Sequence, residues 1–375
     1  MTTRRRTDAR SLLAAAATLL LLAACDDATE PEERIIEGVD FKVLFAEPTQ
    51  SEIDTVVDDW ASRDVSAQDH QEVASSDLNI GGIDVRVSVV SHTVGGELHY
   101  GAILVPAAAQ PGSLPVLVYT HPSDRGINVD ETLSLLPFLL GTDLQDFVFV
   151  APSFRSEPLM FEGTTYTSDG PPSPWDRDVD DVLAFINVVE ATVPEADMDR
   201  IGVVGFSRGA CVGLLMAERD PRIDVVVEFF GPTDFFGPFV QDVVEEALLG
   251  SLRDLPGLEF LNDEFIQPLK NGELTIADVR PELIRRSPVY FAERLPQLQV
   301  HHGTADQTVP VGEAQRLIEV MQRQGRGEPE FEWYLYQGGG HDPLLPGAIG
   351  RTREFLSRLV APMLATHSPR RLQGE

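Results

Sequence analysis

Cysteine is nearly absent from this chain: Cys25 and Cys211 are the only two in 375 residues. Two cysteines cannot build a disulfide framework, so stability has to come from a packed core. Positive charge is also short, with 29 Lys and Arg against 60 Asp and Glu, a formal net charge of −31. A surface that acidic repels phosphate backbones, which removes nucleic acid as a partner, and it keeps the chain soluble. There is no CxxC, HExxH, P-loop or internal repeat, so neither a metal nor an organic cofactor is implied. The GGGH at 338–341 is no phosphate cradle, because no Lys-Ser or Lys-Thr follows it at a helix start. Aromatic residues make up only 7%, while the hydrophobic content of 43% is that of an ordinary globular protein with a sizeable core.

The most apolar run, residues 12–24, is too short to span a bilayer comfortably but fits a secretory signal, with Arg4, Arg5 and Arg6 ahead of it. Its end, Leu22-Ala23-Ala24-Cys25, resembles the bacterial lipobox, a resemblance that implies cleavage before Cys25 and diacylglycerol on its sulfur. The expected organisation is a signal at 1–24, a lipidated Cys25 with a flexible acidic tether at 25–50, and one domain at 51–375. The resemblance places the protein in the cell envelope, touching the membrane through its lipid anchor alone. Cys211 is then left single, and it reads as a small buried core residue.

Ile53, Val56, Val57 and Trp60 mark an amphipathic helix. Ile83, Val85, Val87 and Val89 alternate as a strand, and Gly95-Gly96 turns it into a second at 98–105. Buried strands follow at 116–119, 147–151, 201–204, 225–230, 299–301 and 331–336. Helical segments lie between them at 130–140, 178–189, 312–324 and 346–364. This alternation predicts an α/β fold: a mostly parallel eight-stranded sheet with helices on both faces. Residues 235–286 break the rhythm. They read either as a helical cap inserted over a site or as a packed excursion with no gating role.

The sequence Gly205-Phe206-Ser207-Arg208-Gly209 joins a buried strand to a small-residue helix start, the Gly-x-Ser-x-Gly elbow pattern of a serine nucleophile. A serine needs a base to take its proton and a carboxylate to orient that base. Strand ends downstream offer Asp234, Asp306 and His341. Chain order, serine then acid then histidine, favours Asp306 over Asp234. Adjacent His301 and His302 point to opposite faces of a strand and make a poor chelate. One oxyanion donor is expected at the Arg208 N–H. The other is expected at Ser123, since Pro122 has no N–H, with Asp124 as the second choice. Arg155 and Arg208 are open to binding a substrate carboxylate or to structural ion pairing. Trp175, Phe235 and Phe236 are open to lining a pocket or to packing.

HGTADQTVP at 302–310, followed by a helix, a strand and GGGH, is similar to the catalytic domain of prolyl-oligopeptidase-type serine hydrolases, within the α/β-hydrolase superfamily. GFSRGA and SPVYFAERL match the same pattern, and the likeness covers roughly residues 98–364. It implies Ser207 as nucleophile, Asp306 as orienting acid and His341 as general base, acting on a small ester or peptide through an acyl-serine. The chain has no room for an N-terminal β-propeller and carries His121-Pro122-Ser123 in place of HGG. Carboxylesterases and dienelactone-hydrolase-like enzymes share the triad and remain open, as does a non-catalytic binding lipoprotein on the same fold.

Overall fold

The computed structural model describes residues 34–360. The signal-like run and Cys25 lie outside them. Among the described residues the centre is a nine-stranded sheet. Its strands in chain order are β1 Gln68–Ile80, β2 Ile83–Val94, β3 Glu97–Pro106, β4 Leu114–Thr120 and β5 Val148–Pro152. They continue with β6 Ala196–Phe206, β7 Ile223–Phe229, β8 Gln297–Gly303 and β9 Phe331–Tyr336. Across the sheet the order is β9-β8-β7-β6-β4-β5-β3-β2-β1. Strands β4 to β9 pair in parallel, and β1, β2 and β3 extend the sheet as an antiparallel meander. This is the α/β-hydrolase fold.

Among the described residues, the eight helices of nine residues or more are α1 Gln50–Ser62, α2 Val129–Leu139, α3 Arg177–Thr192 and α4 Arg208–Arg219, then α5 Pro238–Leu248, α6 Ile276–Ile284, α7 Gly312–Arg323 and α8 Ala348–Val360. The central strands carry apolar runs, such as Val116-Leu117-Val118 and Val225-Val226-Val227, because both of their faces are covered. Val116, Val118 and Val203 face the core made by α1, α3, α4 and α7. Their neighbours Leu117 and Val204 face α2 and α8.

The eight-strand expectation fails at β1. Residues 68–80 are polar and exposed along most of their length, so hydrophobic alternation has nothing to reveal. Backbone pairing with β2, around the Gly81-Gly82 turn, makes this edge strand. Residues 35–44, expected to belong to a flexible tether at 25–50, are folded instead. Ile35–Ile36 pairs with Val39–Asp40, and Val39, Phe41 and Leu44 are buried. Arg280 on α6 fastens this segment, donating to the carbonyls of Val43, Leu44 and Ala46 while its other nitrogens hold Glu52. Residues 235–286 are indeed helical, carrying α5, α6 and short turns between them.

Candidate active site

The elbow sits where β6 hands over to α4. Ser207 has φ 53° and ψ −120°, a strained conformation for a residue with a side chain. The turn needs glycine on both sides. A Cβ on Gly205 would lie 2.5 Å from the Gly209 carbonyl oxygen, and one on Gly209 would lie 2.1 Å from that of Thr120. Bare backbone at 209 thus lets the loop after β4 lie directly against the start of α4. The first N–H groups of a helix have no intrahelical acceptor, so the elbow presents donors beside the serine.

Ser207 Oγ lies 3.0 Å from His341 Nε2, and His341 Nδ1 lies 2.7 Å from Asp306 Oδ2. An ionised carboxylate only accepts, so the proton sits on Nδ1 and leaves Nε2 free to accept from the serine hydroxyl. Asp306 Oδ1 is fixed separately by the backbone N–H groups of Thr308 and Val309, at 2.8 and 3.0 Å. Burial pushes the Asp306 carboxyl up, but hydrogen bonding and charge from His341 and the two backbone donors outweigh it. The net effect keeps Asp306 below the usual carboxylate range. The ring of Phe230 packs on His341 at a centroid distance of 4.2 Å.

The other sequence candidates take different places. Asp234 is held away from His341, accepting from the Phe236 N–H at 2.9 Å and from Arg316 Nε at 3.1 Å. His301 contacts Tyr336 and Gln299, whereas His302 contacts the Val309 carbonyl, so the pair does diverge. Burial, then the charge of Arg351, lowers the His301 pKa to about 3. His121 is stacked on Phe154, and burial followed by the charge of Arg208 takes it to about 3 as well, which disqualifies it as a base. Ser123 reaches the elbow through its carbonyl, which accepts from Arg208 Nη1 at 3.1 Å, and its φ is 66°. Cys211 is fully buried, and burial raises its thiol pKa well above the ordinary value.

Both arginines are committed to ion pairs. Arg155 grips Asp181 through two nitrogens. Arg208 donates Nε and Nη2 to Asp178 Oδ2 at 3.0 and 2.8 Å, and Nη1 to Glu157. Burial, partly offset by Arg208, raises Glu157 to about 7. The sequence reading missed Asp178 and Glu157. A signal was present in Asp176, Asp178, Asp180 and Asp181. Three aspartates on a helix that also carries Val182, Phe185 and Ile186, with Asp176 at its N-cap, have no wholly solvated face to occupy, and all four are buried against arginines.

Two cavities flank the Ser207–His341–Asp306 line. One, of about 40 Å³, is lined by Ser207, Arg208, Trp175, Phe235 and residues of the helical insertion. The other, of about 290 Å³, is lined by His341, Phe206, Phe230 and residues of α2. Trp175 and Phe235 are therefore wall residues, as one of the two sequence readings had it, while Phe236 packs against Tyr290.

Solved structures similar to this fold include an acetyl xylan esterase from a Paenibacillus species, with TM-score 0.57, 18% identity, and coverage of 84% of this chain and 98% of that one. An acetyl xylan esterase from a Thermoanaerobacterium species gives TM-score 0.56 and 18% identity, covering 83% and 93%. An α/β hydrolase from a Penicillium species gives TM-score 0.50 and 16% identity, covering 73% and 99%. At such identities the likeness is one of fold. No protein-family model and no curated protein matches the sequence.

Proposed function

We propose that the chain is a serine hydrolase that cleaves neutral carboxylic esters through an acyl-Ser207 intermediate. The observation that carries this reading is the continuous hydrogen-bonded line from Ser207 through His341 to Asp306. In the first half-reaction Ser207 Oγ bonds to the ester carbon while His341 Nε2 takes its proton. The tetrahedral oxyanion is held by the Arg208 N–H and by a second donor from the loop after β4, for which Ser123 is the choice. Collapse breaks the C–O bond, and Nε2 returns the proton to the departing alcohol. Water then attacks the acyl-serine by the same proton route and regenerates Ser207.

A peptidase of the prolyl-oligopeptidase type would use the same triad. The cavity walls favour an uncharged substrate, and of the two we take the ester. Arg208 is the one basic residue in the smaller cavity and is neutralised by Asp178 and Glu157, while the larger holds no charged side chain apart from His341 when protonated. Purified protein would be assayed against p-nitrophenyl esters and against aminoacyl and X-Pro amides. Ester turnover with amide rates at background is the expected outcome, and faster amide cleavage would transfer the assignment to the peptidase. A fluorophosphonate probe that leaves Ser207 unlabelled in folded protein would favour a non-catalytic binding role.

The lipid anchor at Cys25 and a location in the cell envelope belong to the same proposal and rest on the lipobox resemblance. Mass spectrometry of the mature N-terminus is expected to find an acylated cysteine. A mature chain starting downstream of Cys25 would remove the anchor.

A further inference from the structure

The two cavities beside the triad differ in size, in wall and in which member of the triad they touch. The smaller includes Ser207 and Arg208 but not His341, and the larger includes His341 but neither of those. Ester chemistry gives this asymmetry a meaning. The acyl carbon bonds to Ser207, with its oxygen at the Arg208 N–H. The alcohol oxygen must lie at His341 Nε2 to receive its proton. The smaller cavity therefore faces the acyl chain, and the larger faces the alcohol.

About 40 Å³ is little space, given that roughly 10–15 Å³ is needed to admit one water. A short acyl chain suits such a space better than a long one. Its wall is fixed in place. Trp175 is held at φ 61°, an unfavourable conformation for a large side chain, and its ring meets Phe235 edge-on at 5.2 Å. The Trp175 N–H donates to Asp178 Oδ2 at 2.9 Å, the same oxygen that accepts Arg208 Nε and Nη2. One carboxylate thus ties the end wall of the cavity to the residue after the nucleophile.

The alcohol side is built otherwise. Its groove is apolar and ends at Leu135, Phe138 and Leu344, which are 59%, 49% and 63% exposed. On so acidic a protein, three large apolar side chains left in water at the mouth of one groove mark a surface that an apolar ligand covers.

We infer that the enzyme selects esters joining a short acyl group to a bulky apolar alcohol, with Trp175 and Phe239 in the wall of the smaller cavity limiting the acyl chain and Phe138 and Leu344 in the wall of the larger gripping the alcohol. The inference rests on the serine-hydrolase reading and goes beyond it to the substrate. Two ester series test it. With p-nitrophenol as the constant leaving group, kcat/KM is expected to fall at least about tenfold from acetate to octanoate. With acetate as the constant acyl group, it is expected to rise at least about tenfold from methyl to hexyl and cyclohexylmethyl esters, whose alcohols are of similar acidity. Trp175→Leu or Phe239→Ala is expected to raise the octanoate-to-acetate ratio. Leu344→Ser, at an exposed position that cannot upset the core, is expected to lower the hexyl-to-methyl ratio. Turnover with a flat or rising acyl profile, or with no gain from the larger alcohol, overturns the inference and leaves the hydrolase standing. No ester turnover together with no fluorophosphonate labelling of Ser207 removes the hydrolase reading and this inference with it.

Discussion

The loops that follow β7 and β8 look alike in sequence, since each leaves a buried strand and reaches an aspartate within a few residues. After β8, Asp306 turns one oxygen to two backbone N–H groups and the other to His341. After β7, Asp234 is spent on its own loop and on Arg316, and the loop is pinned from below. Glu228 accepts from the Gly231 N–H, and Glu313 accepts from the N–H groups of Thr233 and Asp234. What this loop gives the site is the Phe230 ring against His341. A carboxylate at a strand end thus joins the hydrogen-bonded line to Ser207 through the partner it meets. The loop that lacks that partner becomes scaffold.

The most severe way to break this contrast is to remove what Asp306 serves. Ser207→Ala or His341→Ala is expected to lower kcat by about 10⁴–10⁶, and the double variant by little more, because the members act as one unit. Fluorophosphonate labelling of wild type that disappears in folded Ser207→Ala checks the nucleophile. Independent, multiplying losses would mean the groups do not cooperate.

Asp306→Asn keeps the shape but loses the charge that fixes the imidazole tautomer, and is expected to cost about 10³–10⁴ in kcat. A loss below tenfold would detach Asp306 from the chemistry.

The scaffold loop should answer to pH instead. Burial raises Glu228 to about 8, against the pull of the Gly231 N–H, and raises Glu313 to about 7. The folded protein therefore keeps protons that the unfolded chain has released above its carboxylate pKa near 4.5. The unfolded state binds fewer protons in that window, so stability falls as pH rises from about 4.5 through about 8. Thermal melts should show Tm declining across that range, and Glu228→Gln and Glu313→Gln should each flatten the decline. An unchanged slope in both variants would place the proton uptake elsewhere.

The smallest effect is expected from Asp234→Asn, with kcat changing less than about threefold and stability falling by about 1–2 kcal/mol as the bond to Arg316 weakens. If this variant proves the damaging one and Asp306→Asn proves mild, the roles of the two loops exchange.

The parts of the fold legible in sequence are those dictated by local physics. Strand β9 has the bounds expected of it, residues 331–336, because five apolar or aromatic residues in six positions, with Glu332 the exception, leave little choice. Strand β1 was not legible, because an exposed edge strand imposes no hydrophobic pattern. The hairpin of Pro158–Phe161 and Thr164–Thr167 is hidden for a related reason, since the residues around it are rich in Ser, Gly and Pro and give no apolar alternation.

By itself the sequence determined where a nucleophile, an acid and a base could stand. An elbow needs glycines about its serine, buried parallel strands need unbroken apolar runs, and the loops at their C-terminal ends carry the polar residues. Tertiary structure decided the rest. It chose Asp306 over Asp234 as the partner of His341, neutralised Arg208 and Arg155 with carboxylates from other elements, and set a narrow cavity beside Ser207 against a wide one beside His341. The hydrogen bonds among them join side chains from 26 to 134 positions apart in the chain, and the wide cavity draws on residues from 119 to 349. Sequence pattern reports only the few neighbouring residues within one helical turn or strand, so contacts of that range become visible only once the sheet is assembled.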